Sequence, residues 1–160
     1  MEKKIEVRAD LKRLNQLIAT FADANNLAVK VGILAEKNSR LGGVGESNAS
    51  IGLVHEFGSY IRHIPERSFI RMPLRKKQGE IVKEVTRLIG EHLFQGVRPL
   101  LRKVGMVAEG AIGEAFASGG FGSWAPIAKR TEARKGTDAI LIETSQLQRS
   151  ITSKVVRIGE

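Results

Sequence analysis

Two amphipathic helix patterns stand back to back between residues 81 and 115, and they restrict the chain to few architectures. Ile81, Val82, Val85, Leu88, Ile89 and Leu93 recur at helical spacing and form one apolar stripe. Val97, Leu100, Leu101, Val104, Val107, Ala108, Ala111, Ile112 and Ala115 form a second. Gly96 separates them, Pro99 suits the first turn of the second helix, and Gly119-Gly120 ends it. So short a link makes the two helices neighbours in space. Gly105, Gly110 and Gly113 each cost the second helix about 1 kcal/mol relative to alanine. They are tolerable where another backbone packs close or where the helix bends.

Strand patterns lie toward the two ends. Ile5 and Val7 alternate with Lys4, Glu6 and Arg8, which predicts a half-buried strand over 4–8. Asp10 then stands where a helix N-cap belongs. Leu11, Leu14, Leu17, Ile18, Phe21 and Ala22 give a helix over about 11–24 one apolar face. Val29, Val31 and Ile33 predict a second strand, and Ile151, Val155, Val156 and Ile158 a last one. Between them, Ile51, Val54 and His55 mark a short helix ending at Gly58, and Tyr60 to Pro65 is expected to be extended. Trp124-Ala125-Pro126 opens a short basic helix that stops near Gly136, and Ile140, Leu141 and Ile142 form an apolar clamp. The reading is one α+β domain over 1–160, with a small mixed or antiparallel sheet from strands near both termini covered by two long helices. Residues 36–49, rich in glycine and polar side chains, are expected to be a long mobile loop.

Few chemistries fit the residues. The chain has no cysteine, which removes disulfides and thiolate-held metals. His55-Glu56 begins the helical zinc motif, but position 59 is serine and the second ligand is missing. Gly42-Gly43-Val44-Gly45 has the composition of a phosphate loop without its Lys-Ser or Lys-Thr. Glu80, Glu84 and Glu91 interleave with Lys83 and Arg87 as on a solvated, salt-bridged helix face. No nucleophile elbow is present. Neither an enzyme nor a cofactor is expected. No apolar run approaches the roughly 20 residues that span a bilayer, so no membrane partner is expected and the chain reads as soluble and intracellular at synthesis.

Charge is the stronger signal. Lys and Arg outnumber Asp and Glu by 26 to 17, a net +9. Arg62, Arg67, Arg71, Arg75, Lys76 and Lys77 stand against Glu66 alone, and Lys129, Arg130, Arg134 and Lys135 against Glu132. Such clusters suit phosphates or an acidic protein rim.

Three ordered segments carry a resemblance. They are Val54-His55-Glu56-Phe57-Gly58 with Ile64-Pro65-Glu66-Arg67-Ser68-Phe69-Ile70-Arg71; Trp124-Ala125-Pro126-Ile127 with Thr131 and Arg134-Lys135-Gly136; and Leu141-Ile142-Glu143-Thr144-Ser145-Gln146-Leu147 with Ser150-Ile151. In order and spacing, over about residues 28–152, they resemble the tail-completion, or virion morphogenesis, proteins of tailed bacteriophages. Glu66, Ser68 and Ser145 depart from that pattern, where a small residue or proline, and glycine, are usual. The resemblance implies a small α+β subunit of a ring, commonly six-fold, at the head–tail junction of the virion, made in the host cytoplasm. Its partners would be further copies, the tail terminator or tail tube, and neck or portal adaptor proteins, with genomic DNA passing through the ring. No catalysis is implied.

Beside that implication, the residues have a physical reading. Phe57 is expected to point inward and Gly58 to form a left-handed cap. Pro65 fixes the approach of the chain, Phe69 inserts as the next helix begins, and Trp124 and Pro126 anchor the loop after the long helix. Phe57, Phe69 and Trp124 are read as core, the alternative being exposed interface anchors. Arg67 has a planar fork suited to a carboxylate or to backbone carbonyls. Glu56, Arg67 and the loop glycines Gly42, Gly43 and Gly45 are the candidate contacts to a subunit or partner. Arg62, Arg71, Arg75, Lys76, Lys77, Lys129, Arg130, Arg134 and Lys135 are candidates for DNA or an acidic rim. A basic nucleic-acid-binding module without ring assembly is the second reading.

Overall fold

A computed structural model describes residues 2–39, 47–136, 138, 140, 141 and 145–159, and the side chains of these except 2–10, 134 and 135. The elements run α1 (Glu2–Ala24), β1 (Leu27–Ile33), a 3-10 turn (Ala35–Lys37), α2 (Asn48–Phe57), α3 (Arg71–Lys76), α4 (Gln78–His92), a 3-10 turn (Leu93–Gln95), α5 (Val97–Ala117), α6 (Lys129–Lys135), α7 (Gln146–Arg149) and β2 (Ile151–Arg157). The fold is α+β. β1 and β2 pair antiparallel, from Leu27 opposite Arg157 to Ile33 opposite Ile151. α5 lies across both strands and α4 packs on α5.

The strand expected over 4–8 is instead the first part of α1, so the chain opens α-β rather than β-α-β. Five alternating residues are too few to impose a strand. Their Lys, Glu and Arg are good helix formers, and no glycine or proline separates them from the helix that follows. Asp10 consequently sits inside the helix instead of capping it. The segment after Gly58 is not extended either. Residues 60–63 form a turn closed by a bridge between Ser59 and Ile64.

Both ends of the 36–49 segment are tied down. The Asn48 side chain donates to the carbonyls of Lys37 and Ser39, each at 3.0 Å, and Asn38 Oδ1 accepts from Ala49 N at 2.8 Å. Ser47 caps α2 by accepting from Ser50 N at 3.1 Å. Gly42, Gly43 and Gly45 lie outside the described residues, as does Ile142.

The core gathers under the C-terminal half of α5. Phe69, Ile112, Ala115, Phe116, Trp124 and Leu147 are buried together, with Ile140 and Leu141 against them. Phe116 meets Phe69 at 5.4 Å between ring centroids and Trp124 edge-on at 5.8 Å. On the far side of the pair, α4 keeps a solvated face on which Arg87 donates to Glu84 at 2.9 Å and Glu91 at 2.6 Å.

The three glycines of α5 divide by environment. A Cβ on Gly105 would meet Ser153 Cβ at 2.7 Å and Val29 Cγ1 at 3.3 Å, so here the sheet does press on the helix. Gly110 and Gly113 have nothing within 4 Å of that position. Gly105→Ala is therefore expected to destabilise by about 1–3 kcal/mol. Gly110→Ala and Gly113→Ala should each stabilise by up to about 1 kcal/mol. Urea denaturation of the three variants checks this, and equal effects would contradict it.

Candidate functional site

The densest buried polar network of the described residues centres on the strap between α2 and α3, residues 64–71. α2 delivers Glu56 to the interior, where the residue is 6% exposed. Its carboxylate accepts from Ser68 Oγ at 2.7 Å, from the backbone N–H groups of Phe69, Ile70 and Arg71 at 2.8, 2.9 and 3.0 Å, and from Arg71 Nε at 3.0 Å. Ser68 Oγ in turn accepts from Met72 N at 3.0 Å. Four successive N–H groups at the start of α3 are thus satisfied by two side chains, one of them from another helix. Burial alone would raise the Glu56 pKa. The hydrogen bonds from Ile70, Ser68 and Arg71 outweigh it and hold the carboxyl below its ordinary 4.5.

Arg67, also 6% exposed, reaches the other way. Its guanidinium donates to the carbonyls of Ala125 at 2.9 Å and Pro126 at 3.0 Å. Of the two partner types open to its fork, backbone carbonyls are the ones met. Trp124 Nε1 donates to Ser68 O at 3.2 Å. Glu56 and Arg67, expected as partner contacts, are therefore spent inside the chain, binding α2, the strap and the 124–126 loop into one unit. Phe69 and Trp124 are core, at 0 and 8% exposure, while Pro65 and Pro126 stay on the surface.

Phe57 departs from expectation. It is 56% exposed, with the Arg71 guanidinium 4.4 Å over its ring. The last turn of α2 has one inward position at this point, and Glu56 takes it. Gly58 does have positive φ (73°), but its ψ of 175° turns the chain into an extended path and not a left-handed cap. A side chain there would also stand 2.9 Å from Glu66 N and 3.0 Å from Ile64 O.

The turn beyond Gly58 is firmly built. Ser59 and Ile64 exchange backbone hydrogen bonds at 2.8 and 2.9 Å, and His63 N donates to Tyr60 O at 3.1 Å. Ser59 Oγ accepts from Arg62 N at 3.3 Å. His63 holds φ of 51°, a conformation non-glycine residues seldom adopt. At its tip Tyr60 is 93% and Ile61 90% exposed, and Leu53 and Phe57 of α2 add further exposed apolar surface. From sequence, Tyr60 is placed only as the start of a stretch expected to be extended. The usable signal was an apolar pair midway between Gly58 and Pro65, where a turn tip is normally polar.

The basic candidates separate. Arg71 is bound to Glu56 and, at 3.0 Å, to Glu66. Lys77 is paired with Glu114 and Glu80. Arg75 and Lys76 are exposed and line a shallow groove of about 420 Å³ with Glu66, Ser68, Arg71 and Met72. Lys76 also lies 4.8 Å over the Phe121 ring. Arg62, Lys129 and Arg130 are exposed, and the side chains of Arg134 and Lys135 lie outside those described. Among the described residues no three His, Asp or Glu stand together as metal ligands, and no helix is long and apolar enough to cross a membrane. Comparison with protein-family models, curated proteins and solved structures finds no match for this chain.

Proposed function

We propose that the chain is a structural virion subunit that completes a bacteriophage tail and joins it to the head as part of a ring, probed by its exposed turn and not by a cleft. The observation that carries this reading is the turn 59–64. A buried network of Glu56, Arg67, Ser68 and Trp124 fixes a strap whose other end holds Tyr60 and Ile61 almost wholly in solvent. Leaving two large apolar side chains outside costs the isolated chain about 1.5–3 kcal/mol each in unrealised burial. Rigid, apolar and rimmed by arginine, the patch has the composition of an interface anchor. Glu56, Arg67 and Trp124 of this network are also among the residues that carry the family resemblance, from which Ser68 departs. Ring neighbours, tail terminator or tube, and neck or portal adaptor are the partners this reading supplies.

The nucleic-acid reading rests on Arg75, Lys76, Lys129 and Arg130, since Arg71 and Lys77 are already neutralised within the chain. Duplex binding by such a module would weaken with salt on a log–log slope near −0.9 per phosphate contacted. The structural reading is tested by deleting the gene from the virus that encodes the chain. Separate heads and tails, restored to whole particles by supplying the protein, are expected. Normal particles without it, or a purified chain that turns over a substrate, would overturn the reading.

A further inference from the structure

The two strands set lysine against lysine on their outer face. β1 reads Leu27-Ala28-Val29-Lys30-Val31-Gly32-Ile33 and β2 Ile151-Thr152-Ser153-Lys154-Val155-Val156-Arg157, and neither holds an acidic residue. Val29 and Ser153 lie against Gly105, which makes theirs the α5 side of the ribbon. By strand alternation Lys30 and Lys154 stand on the other side, both exposed, and the register places them directly opposite each other. Like charges so placed oppose the pairing of the strands. Glu36 offsets this only weakly: it meets Lys154 at 3.4 Å, with the two side chains 51 and 60% exposed. Glu36 also lines a groove of about 390 Å³ together with the exposed Lys37 and Arg149. The positive surface therefore continues past the end of the ribbon.

We propose that this face seats the sugar-phosphate backbone of duplex DNA. The site lies outside the two basic clusters read from the sequence. It needs no head or tail component, so a ring subunit and a lone module could carry it alike. The chemistry of the face selects the ligand. A two-stranded ribbon fits the major groove of B-form DNA. Besides the lysines, only Ala28, Gly32, Thr152 and Val156 share the outer face. No arginine, asparagine or glutamine stands among them to read base edges, so the contact is to phosphates and indifferent to sequence. No aromatic ring stands there to stack unpaired bases, which favours a duplex over a single strand. An acidic protein fits less well. Protein interfaces hold by large apolar anchors, and none of the large exposed apolar side chains among the described residues lies in either strand.

Fluorescence anisotropy of the full chain with a labelled duplex of arbitrary sequence tests the site. Contact with three or four phosphates predicts a log–log salt slope of about −2.7 to −3.6 between roughly 50 and 200 mM. Lys30→Gln with Lys154→Gln should make the slope shallower by about 1.8. Lys30→Arg with Lys154→Arg should keep it, and Arg75→Gln with Lys76→Gln should leave it unchanged. Acetylation of the wild-type chain, read by mass spectrometry with and without the duplex, decides the matter if the glutamine variant melts early. The duplex should shield Lys30 and Lys154 and leave Lys76 and Lys129 open. No binding at the lowest salt, a slope untouched by the glutamine pair, or shielding of Lys76 and Lys129 in place of Lys30 and Lys154 overturns the proposal. So does polyglutamate that competes as well as unlabelled duplex at equal charge, which would give the face to an acidic protein. None of these results bears on whether the chain restores particles to a virus lacking it, so the ring reading stands or falls separately.

Discussion

Glu56→Ala is expected to destabilise the chain by about 3–5 kcal/mol, the range for removing one member of a buried charged network. The substitution strips the acceptor from Phe69, Ile70 and Arg71 N–H, from Ser68 Oγ and from the Arg71 guanidinium together. The N–H groups of Phe69 and Ile70 and the Ser68 hydroxyl left dry lose their hydration without recompense, while the Arg71 guanidinium, 43% exposed, keeps Glu66. Glu56→Gln keeps the shape but not the charge and should cost roughly 2 kcal/mol. The effect depends on pH with a definite sign. The folded pKa of Glu56 lies below 4.5, so the ionised carboxylate's contribution is complete above the unfolded value and is lost as pH falls through the folded one. Wild type and Glu56→Gln should therefore differ at pH 7 and converge in acid once the pH has fallen through the depressed folded pKa. Urea denaturation at both pH values reads this, and a constant difference would mean that Glu56 acts by shape alone.

Trp124→Ala should cost about 3–5 kcal/mol through the cavity left against Phe116 and the loss of the strap's hold on the 124–126 loop. Trp124→Phe keeps most of the area and loses only the donor to Ser68 O, for roughly 1 kcal/mol. The order of the two midpoints separates packing from hydrogen bonding. Trp124 is the sole tryptophan, so its emission follows wild-type unfolding without a label. A Trp124→Ala chain that melts with the wild type would place the ring outside the core.

What the sequence discloses about this chain follows the range of the forces involved. The long helices α4 and α5 are legible because their stripes repeat over several turns, and glycines flank α5 at Gly96 and Gly119. β1 is legible because its apolar residues alternate next to a turn, and β2 because it is rich in β-branched residues, although their pairing across most of the chain is a tertiary fact. The start of α1 misleads because five alternating residues satisfy two periods at once, and only the absence of a paired neighbour decides between them. Its apolar face misleads differently. Spacing tells that Leu11, Leu14, Ile18 and Phe21 share a side, but not whether that side meets this chain's own core.

At the site the same division holds. Pro65, Phe69, Arg67 and Trp124 stand out by residue type, and the structure does bring Phe69, Arg67 and Trp124 together. The direction in which Glu56 and Phe57 face is not legible, since neighbours on a helix differ by about 100° and either can take the inward place. The winner is set by three N–H groups at the start of α3 that need an acceptor, and these appear only when the strap folds back. Basic residues are the least legible of all. Arg71 and Arg75 look equivalent in sequence, yet one is bound to two glutamates and the other lines an open groove.

The most direct test of the account is assembly by a chain carrying Tyr60→Asp and Ile61→Asp. The two residues are 93 and 90% exposed, so the variant should melt within about 0.5 kcal/mol of wild type. Supplied to the virus lacking its own copy, it is expected to leave heads and tails unjoined. Whole particles in wild-type number, from a variant shown to be folded, would contradict the claim that this turn is the working surface of the protein.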